Sequence, residues 1–207
     1  MENEAKIWSW LKSHTGLNDY AVAAICGNIA AESDGIPNNV ENRCPYSDAI
    51  YTASVDDGSY GYWETDAYGY GLCQWTYYTR KRALKAYAKA QGKSIGDLEM
   101  QLEFMVAEMQ SDYKSTWQAL LSAANIATPC AKVCEDYERP ANASAQAAKR
   151  YDYAAAIYER QHGCTSDTAE AAAGGKESPD GSGVSADIIN RLTDVISELK
   201  AILEELA

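Results

Sequence analysis

The sequence predicts an α+β fold that is predominantly α-helical: one domain over residues 1–164 with a small β-wing, a flexible linker over 165–184, and a coiled-coil-like C-terminal helix over 185–207. Three observations predict it. Apolar residues recur three and four positions apart along most of residues 1–164, the period of a helix with one buried face. Residues 44–70 break that period with Tyr, Asp, Gly and Ser, the vocabulary of turns and short strands. Residues 165–183 are rich in Ala, Gly, Ser and Asp, a composition too polar and too flexible to build a packed element.

Ile7, Trp8, Trp10 and Leu11 mark a short first helix. Asn18 is placed to cap a second, with Val22, Ile25, Cys26 and Ile29 at helical spacing and Asp34-Gly35 as its end. The Asp56-Asp57-Gly58 turn signal falls inside the expected wing. Helical pattern resumes after Thr79 and stops at Gly92. The next helix sets Leu98, Leu102, Met105, Val106 and Met109 on one face, and a short one follows around Trp117, Leu120 and Leu121. Thr128-Pro129 pairs a cap with a proline at the first helical position. The last helix of the domain, over 144–162, carries Tyr151, Ala154 and Tyr158 on a stripe. In the tail, Ile188, Leu192, Val195, Leu199, Ile202 and Leu206 alternate spacings of four and three, a coiled-coil seam that Ile189, Ile196 and Leu203 widen. A lone helix of this length is marginal in water. The seam over 188–206 therefore predicts a homo-oligomer of three or more helices, with docking onto its own domain as the alternative.

Composition narrows the function. Lys and Arg number 18 against 30 Asp and Glu, for a formal net charge of −12. Residues 165–207 hold 3 of the basic and 9 of the acidic residues, so half of that charge lies in the tail. Nucleic acid and anionic lipid select for basic surfaces, so neither is an expected partner. No apolar run approaches the roughly 20 residues of a membrane helix, and the start Met-Glu-Asn-Glu-Ala-Lys lacks the apolar core of a secretory signal. No membrane insertion and no signal peptide are expected. The six cysteines, Cys26, Cys44, Cys73, Cys130, Cys134 and Cys164, are an even set compatible with disulfides, and the pairing is open. With two histidines and no Cys-x-x-Cys pair, neither a metal site nor another cofactor is expected. Tyr is 15 and Trp 5 against a single Phe; rings with a polar edge suit wet binding surfaces such as sugar clefts.

Glu32 is the first candidate catalytic residue. It lies seven positions after Ile25 and three after Ile29, so it continues the apolar face of its helix where the chain opens into a loop. Partial burial in apolar surroundings favours the neutral form of a carboxyl group, and a carboxylic acid that is protonated near neutral pH is a general acid. A second motif runs from Tyr68 to Thr76, Tyr-Gly-Tyr-Gly-Leu-Cys-Gln-Trp-Thr. Its alternate glycines admit a close ligand, Gln74 both donates and accepts, and Tyr68, Tyr70 and Trp75 offer ring faces.

Gly27-Asn28-Ile29-Ala30-Ala31-Glu32-Ser33 followed by Gly69-Tyr70-Gly71-Leu72-Cys73-Gln74-Trp75 resembles the phage tail lysozyme family, and more distantly goose-type lysozymes and lytic transglycosylases. Tyr137-Glu138-Arg139-Pro140-Ala141-Asn142 extends the resemblance, which spans about residues 5–162. The resemblance implies a lysozyme-like domain acting on bacterial peptidoglycan. The reaction would be hydrolysis of the β-1,4 bond between N-acetylmuramic acid and N-acetylglucosamine, with Glu32 protonating the glycosidic oxygen as an oxocarbenium-like state develops. Goose-type lysozymes place an aspartate shortly before the Gly-x-Gly-Leu-x-Gln segment. Asp66 is the first choice for that carboxylate, with Glu64, Asp57 and Asp56 as substitutes. Tyr68, Tyr70, Gln74, Trp75, Tyr137 and Asn142 are expected to line the sugar cleft, and Arg139 to hold an ion pair. The resemblance also implies action on the cell wall, as part of a phage tail or after release from the host cytoplasm. A lytic transglycosylase, which needs only the acid, and a non-catalytic wall-binding or tail module are the competing readings.

Overall fold

The computed structural model describes residues 1–163. The expected linker over 165–184, the helix over 185–207 with its 188–206 seam, and Cys164 lie outside the described residues. The first two helices are α1, Glu4–Thr15, and α2, Asp19–Ser33. The third, α3, is Asp48–Asp56. Then come α4, Tyr78–Ala90, α5, Leu98–Ser111, α6, Lys114–Leu121, and α7, Ala127–Lys132. A π-helical segment, Val133–Glu138, continues directly from α7, and α8, Ala143–Gly163, closes the described chain.

α2 is the axis of the fold. Asn18 caps it, its side chain accepting from the Ala21 N–H at 3.1 Å, and Asp34 ends it in the left-handed region at φ 53°. Its run from Ala21 to Ile29 is buried, because α1, α7, α8 and the π-helical segment all pack on it. Small residues make that possible. A Cβ on Gly27 would stand 2.5 Å from the Arg150 carbonyl oxygen and 2.6 Å from Ala154 Cβ on α8. Gly27→Ala is therefore expected to lower stability. The helix-propensity gain of about 1 kcal/mol is outweighed by an overlap that moves the α8 backbone, a cost of roughly 1–3 kcal/mol. A urea melt checks it; an unchanged or higher midpoint would show that the two helices are not in this close register.

The second layer is α5, with α4 and α6 beside it. Asp97 caps α5 through the Met100 N–H at 2.9 Å, and Met100, Leu102, Met105 and Met109 are buried. α7 begins ahead of the expected Thr128-Pro129 cap. The side chain that accepts from the Thr128 N–H, at 2.9 Å, is Asn125.

The expected β-wing is corrected. Among the described residues there is no strand, only an isolated antiparallel bridge between Val40 and Tyr70. Ser47 caps α3 instead, and Tyr51 and Val55, four positions apart, turn inward. A helix of nine residues, about two and a half turns, is too short to declare a period amid Asp, Gly and Ser. Part of the aromatic excess is spent in the core, while Tyr20, Tyr46, Tyr62, Tyr77, Tyr78, Tyr151 and Tyr153 are exposed. Tyr51, Trp63 and Tyr70 are buried and pack on one another at centroid distances of 5.3–6.0 Å. Tyrosine replaces phenylalanine there because the hydroxyls are used: Tyr51 and Tyr60 donate to Asp66 at 2.5 and 3.1 Å, and Tyr70 pairs with Thr52 at 2.7 Å.

Candidate active site

A cleft of about 1190 Å³ opens beside the end of α2. Its floor carries Glu32 and Cys73. Asn39–Arg43 line it on one stretch of chain, Gln74 and Tyr77 on a second, and Arg80, Tyr113 and Tyr137–Ala141 on others. Three carboxylates therefore share it: Glu32, Glu41 and Glu138.

Glu32 is brought there because α2 ends one residue later. Ser33 Oγ donates to the Leu72 carbonyl at 3.0 Å and so ties the helix end to the glycine-rich segment. The buried Gln101 holds the same segment from α5. Its Oε1 accepts from the Leu72 N–H at 2.9 Å, and its Nε2 donates to Pro37 and Ile95 carbonyls at 2.6 Å. Gly71 has φ 76°, and a Cβ there would meet Gln101 Oε1 at 2.6 Å; this glycine is required by both conformation and space.

The Glu32 side chain is 18% exposed, so the expected partial burial is present. The expected apolar surroundings are not. Arg150 of α8 donates to Glu32 Oε1, and its other Nη donates to the Asn28 backbone and side-chain oxygens at 3.4 and 3.3 Å. Glu138, the last residue of the π-helical segment, has its carboxyl pushed up to about 8, first by burial and next by the Glu32 charge. Arg80, Arg150 and a hydrogen bond from Cys73 pull in the opposite direction. Glu41 is held below the usual carboxylate range, chiefly by hydrogen bonds from Arg43 at 2.5 and 2.9 Å, with the Gly69 N–H adding a further one at 3.2 Å.

Of the expected site residues, the cleft brings together Glu32, Gln74 and Tyr137. Gln74 sits at φ 43° and donates to the Asn39 and Gly71 carbonyls at 3.2 and 3.1 Å. Tyr137 is 1% exposed, with its hydroxyl turned inward to Glu108 at 2.7 Å, so only part of its surface reaches the cleft.

The other five are placed elsewhere. Asp66, with a side chain 4% exposed, accepts from Lys81 Nζ at 2.5 Å, from both tyrosine hydroxyls and from the Tyr68 N–H. Its oxygens are committed to the core. Tyr68 does not line the cleft, and its carbonyl accepts from Lys81 at 3.0 Å. Tyr70 belongs to the buried aromatic cluster. Trp75 is fully buried, donating to Glu108 at 2.9 Å. Asn142 is exposed beyond the cleft at φ 60°. Among the substitutes, Glu64 pairs with Arg82 on the surface, and Asp56 accepts from Ser94 and from the Ile95 N–H. Asp57 accepts from the Ser59 N–H at 2.8 Å.

Sequence reasoning missed Glu41, Glu138, Arg150, Arg80 and Tyr77. Glu138 lies within the Tyr137–Asn142 motif, and what sets it apart, burial beside Glu32, is not visible in the motif. Arg139 lines the cleft without an ion pair among the described residues, its Nε donating to the Asp136 carbonyl at 2.7 Å. Arg80 is held by Glu108 through two hydrogen bonds of 2.9 and 2.8 Å and lies 4.4 Å from the Tyr137 ring centroid.

The five described cysteines are free thiols. No group of His, Cys, Asp and Glu among the described residues is arranged to hold a metal ion. No helix among them is long and apolar enough to cross a membrane. The family model described as phage tail lysozyme matches residues 2–160. No curated protein matches the chain.

Proposed function

This chain belongs to the phage tail lysozyme family, and from that premise we propose that it is a muramidase. It would hydrolyse the β-1,4 bond between N-acetylmuramic acid and N-acetylglucosamine, with Glu32 as general acid. Membership supports a lysozyme-like action on peptidoglycan; the reaction type and the residue roles are our reading. The observation that carries it is the position of Glu32, a partly buried carboxyl, at the end of a helix, that lines the cleft with Gln74 and the Tyr137–Ala141 segment. An acid there protonates the leaving oxygen in the transition state.

Water attack needs a base, and a base must be ionised. Asp66 has no free lone pair facing the cleft. Glu41 does line it and is kept ionised by Arg43, so we assign the base to Glu41. Arg139, exposed and lining the cleft, puts positive charge there for the carboxylates of the substrate's lactyl and peptide groups. The action is on the cell wall, from a phage tail or after release from the host cytoplasm.

Digestion of purified peptidoglycan followed by mass spectrometry tests this reading. Reducing N-acetylmuramic acid ends are the expected product. Anhydromuramyl ends would establish a lytic transglycosylase instead, a reading that the burial of Asp66 favours because such an enzyme uses no second carboxylate. Intact glycan would leave a wall-binding module. Glu41→Gln is expected to slow hydrolysis about 100-fold, within the range for a general base. An unchanged rate in a folded variant would remove Glu41 from the mechanism.

A further inference from the structure

The cleft holds a second acid that the reading above does not use. Glu138 shares the cavity with Glu32, arrives from the far side of the chain on a π-helical turn, a geometry frequent at functional sites, and makes no ion pair among the described residues. The cations near it are engaged elsewhere. Arg150 is taken by Glu32 and Asn28, and Arg80 by Glu108 and the Tyr137 carbonyl. From the remaining elements packed against Glu138, the facing titratable groups are the thiols of Cys73 and Cys134 and the Tyr137 hydroxyl. Burial pushes all three up, so none supplies a negative or positive charge near neutral pH.

We propose that Glu138 is the proton reservoir of the cleft: it holds the proton at neutral pH and passes it to Glu32, which delivers it to the glycosidic oxygen. Two carboxyl groups in one site cannot easily ionise together, and Glu138, with no ion pair of its own beside the Arg150-paired Glu32, is the one placed to keep the proton. The balance closes over a turnover. Glu138 becomes a carboxylate as Glu32 is protonated, Glu32 returns to a carboxylate as the sugar oxygen takes that proton, Glu41 takes the proton of the attacking water and releases it to solvent, and Glu138 regains a proton from solvent, so one proton enters and one leaves per turnover. Glu138 acts through Glu32 and is a positioning residue, one that places a proton. This inference rests on Glu32 being the general acid.

The direction of the pH effect follows from the raised carboxyl of Glu138, about 8. Activity should persist up to an alkaline limb near pH 8. In Glu138→Gln the reservoir is gone, and the limb should move to lower pH. The expected result on purified peptidoglycan is at least a tenfold loss at pH 7 with most activity retained at pH 5. An unmoved limb, or an equal loss at every pH in a folded variant, would overturn the proposal. Glu32→Gln run beside it keeps the two readings apart: parental activity in that variant sinks the general acid, whereas an unmoved limb in Glu138→Gln sinks only the reservoir.

A second measurement needs no variant to fold. A group whose carboxyl is raised on folding stabilises below its unfolded value and loses that contribution as pH rises through its folded value. The parent's melting temperature should therefore fall between about pH 4.5 and 8, the unfolded and folded values for Glu138. Carboxyl carbon NMR of glutamate-labelled parent should also show one glutamate titrating near pH 8. A parent in which no glutamate titrates above pH 6 would overturn the proposal.

Discussion

Glu32→Gln is expected to cut the rate of peptidoglycan cleavage by about 10²–10⁴-fold, the contribution typical of a positioned general acid. The substitution keeps size and shape and removes the only function at issue, the ability to give up a proton. It also keeps an oxygen for Arg150, which is 3% exposed and donates to Glu32 in the parent. Folding should thus survive, where Glu32→Ala would leave that guanidinium facing a void. Turbidity loss of cell walls at matched protein concentration measures the rate, and near-ultraviolet circular dichroism checks the fold. A folded variant with the parental rate would remove Glu32 from the chemistry and leave a binding module.

Asp66→Ala is expected to act on stability rather than chemistry, with a loss of roughly 3–5 kcal/mol, the usual cost of breaking a buried ion pair by removing one partner. Lys81 is fully buried and Asp66 nearly so. Without the carboxylate, the ammonium keeps only the Tyr51 hydroxyl at 3.1 Å, the Tyr68 carbonyl at 3.0 Å and the Trp63 ring at 4.4 Å. Burial already pulls the Lys81 amine downward against the help of Asp66, so its loss leaves a charge that cannot be solvated. Domains of this kind are stable by about 5–15 kcal/mol, so the variant should be folded in the cold and cleave there at near the parental rate. Adding Lys81→Met should recover part of the stability, because the cost lies in the orphaned charge. A variant as stable as the parent but inactive would return Asp66 to the cleft.

These two residues show how far the site was legible. Both were chosen from position: Glu32 at the end of an apolar stripe, Asp66 shortly before a glycine-rich segment. The first argument uses helical geometry, which is local, and the structure sets Glu32 on the cleft floor. The second uses distance along a loop, which says nothing of direction. Asp66 turned inward because Lys81 and two tyrosines wait there. The aromatic excess misled for the same reason, since a tyrosine hydroxyl serves a buried carboxylate as well as a sugar. Glu138 was invisible as an acid because its character comes from its neighbours: burial, Glu32 and two arginines already engaged.

Local order needed no more than the chain itself. Asn18 begins α2 and Asp34-Gly35 ends it, as the cap and the left-handed stop require, and the order of the three motifs carries the family. Those features depend on neighbours within a turn or two. Which carboxylates meet water, which meet a cation and which keep a proton was decided by packing. Glu32 meets Arg150 across 118 positions of sequence, and the close approach of α2 and α8 that joins them rests on Gly27 having no side chain. Charge interactions act through space and burial, so their outcome is written only where distant segments meet.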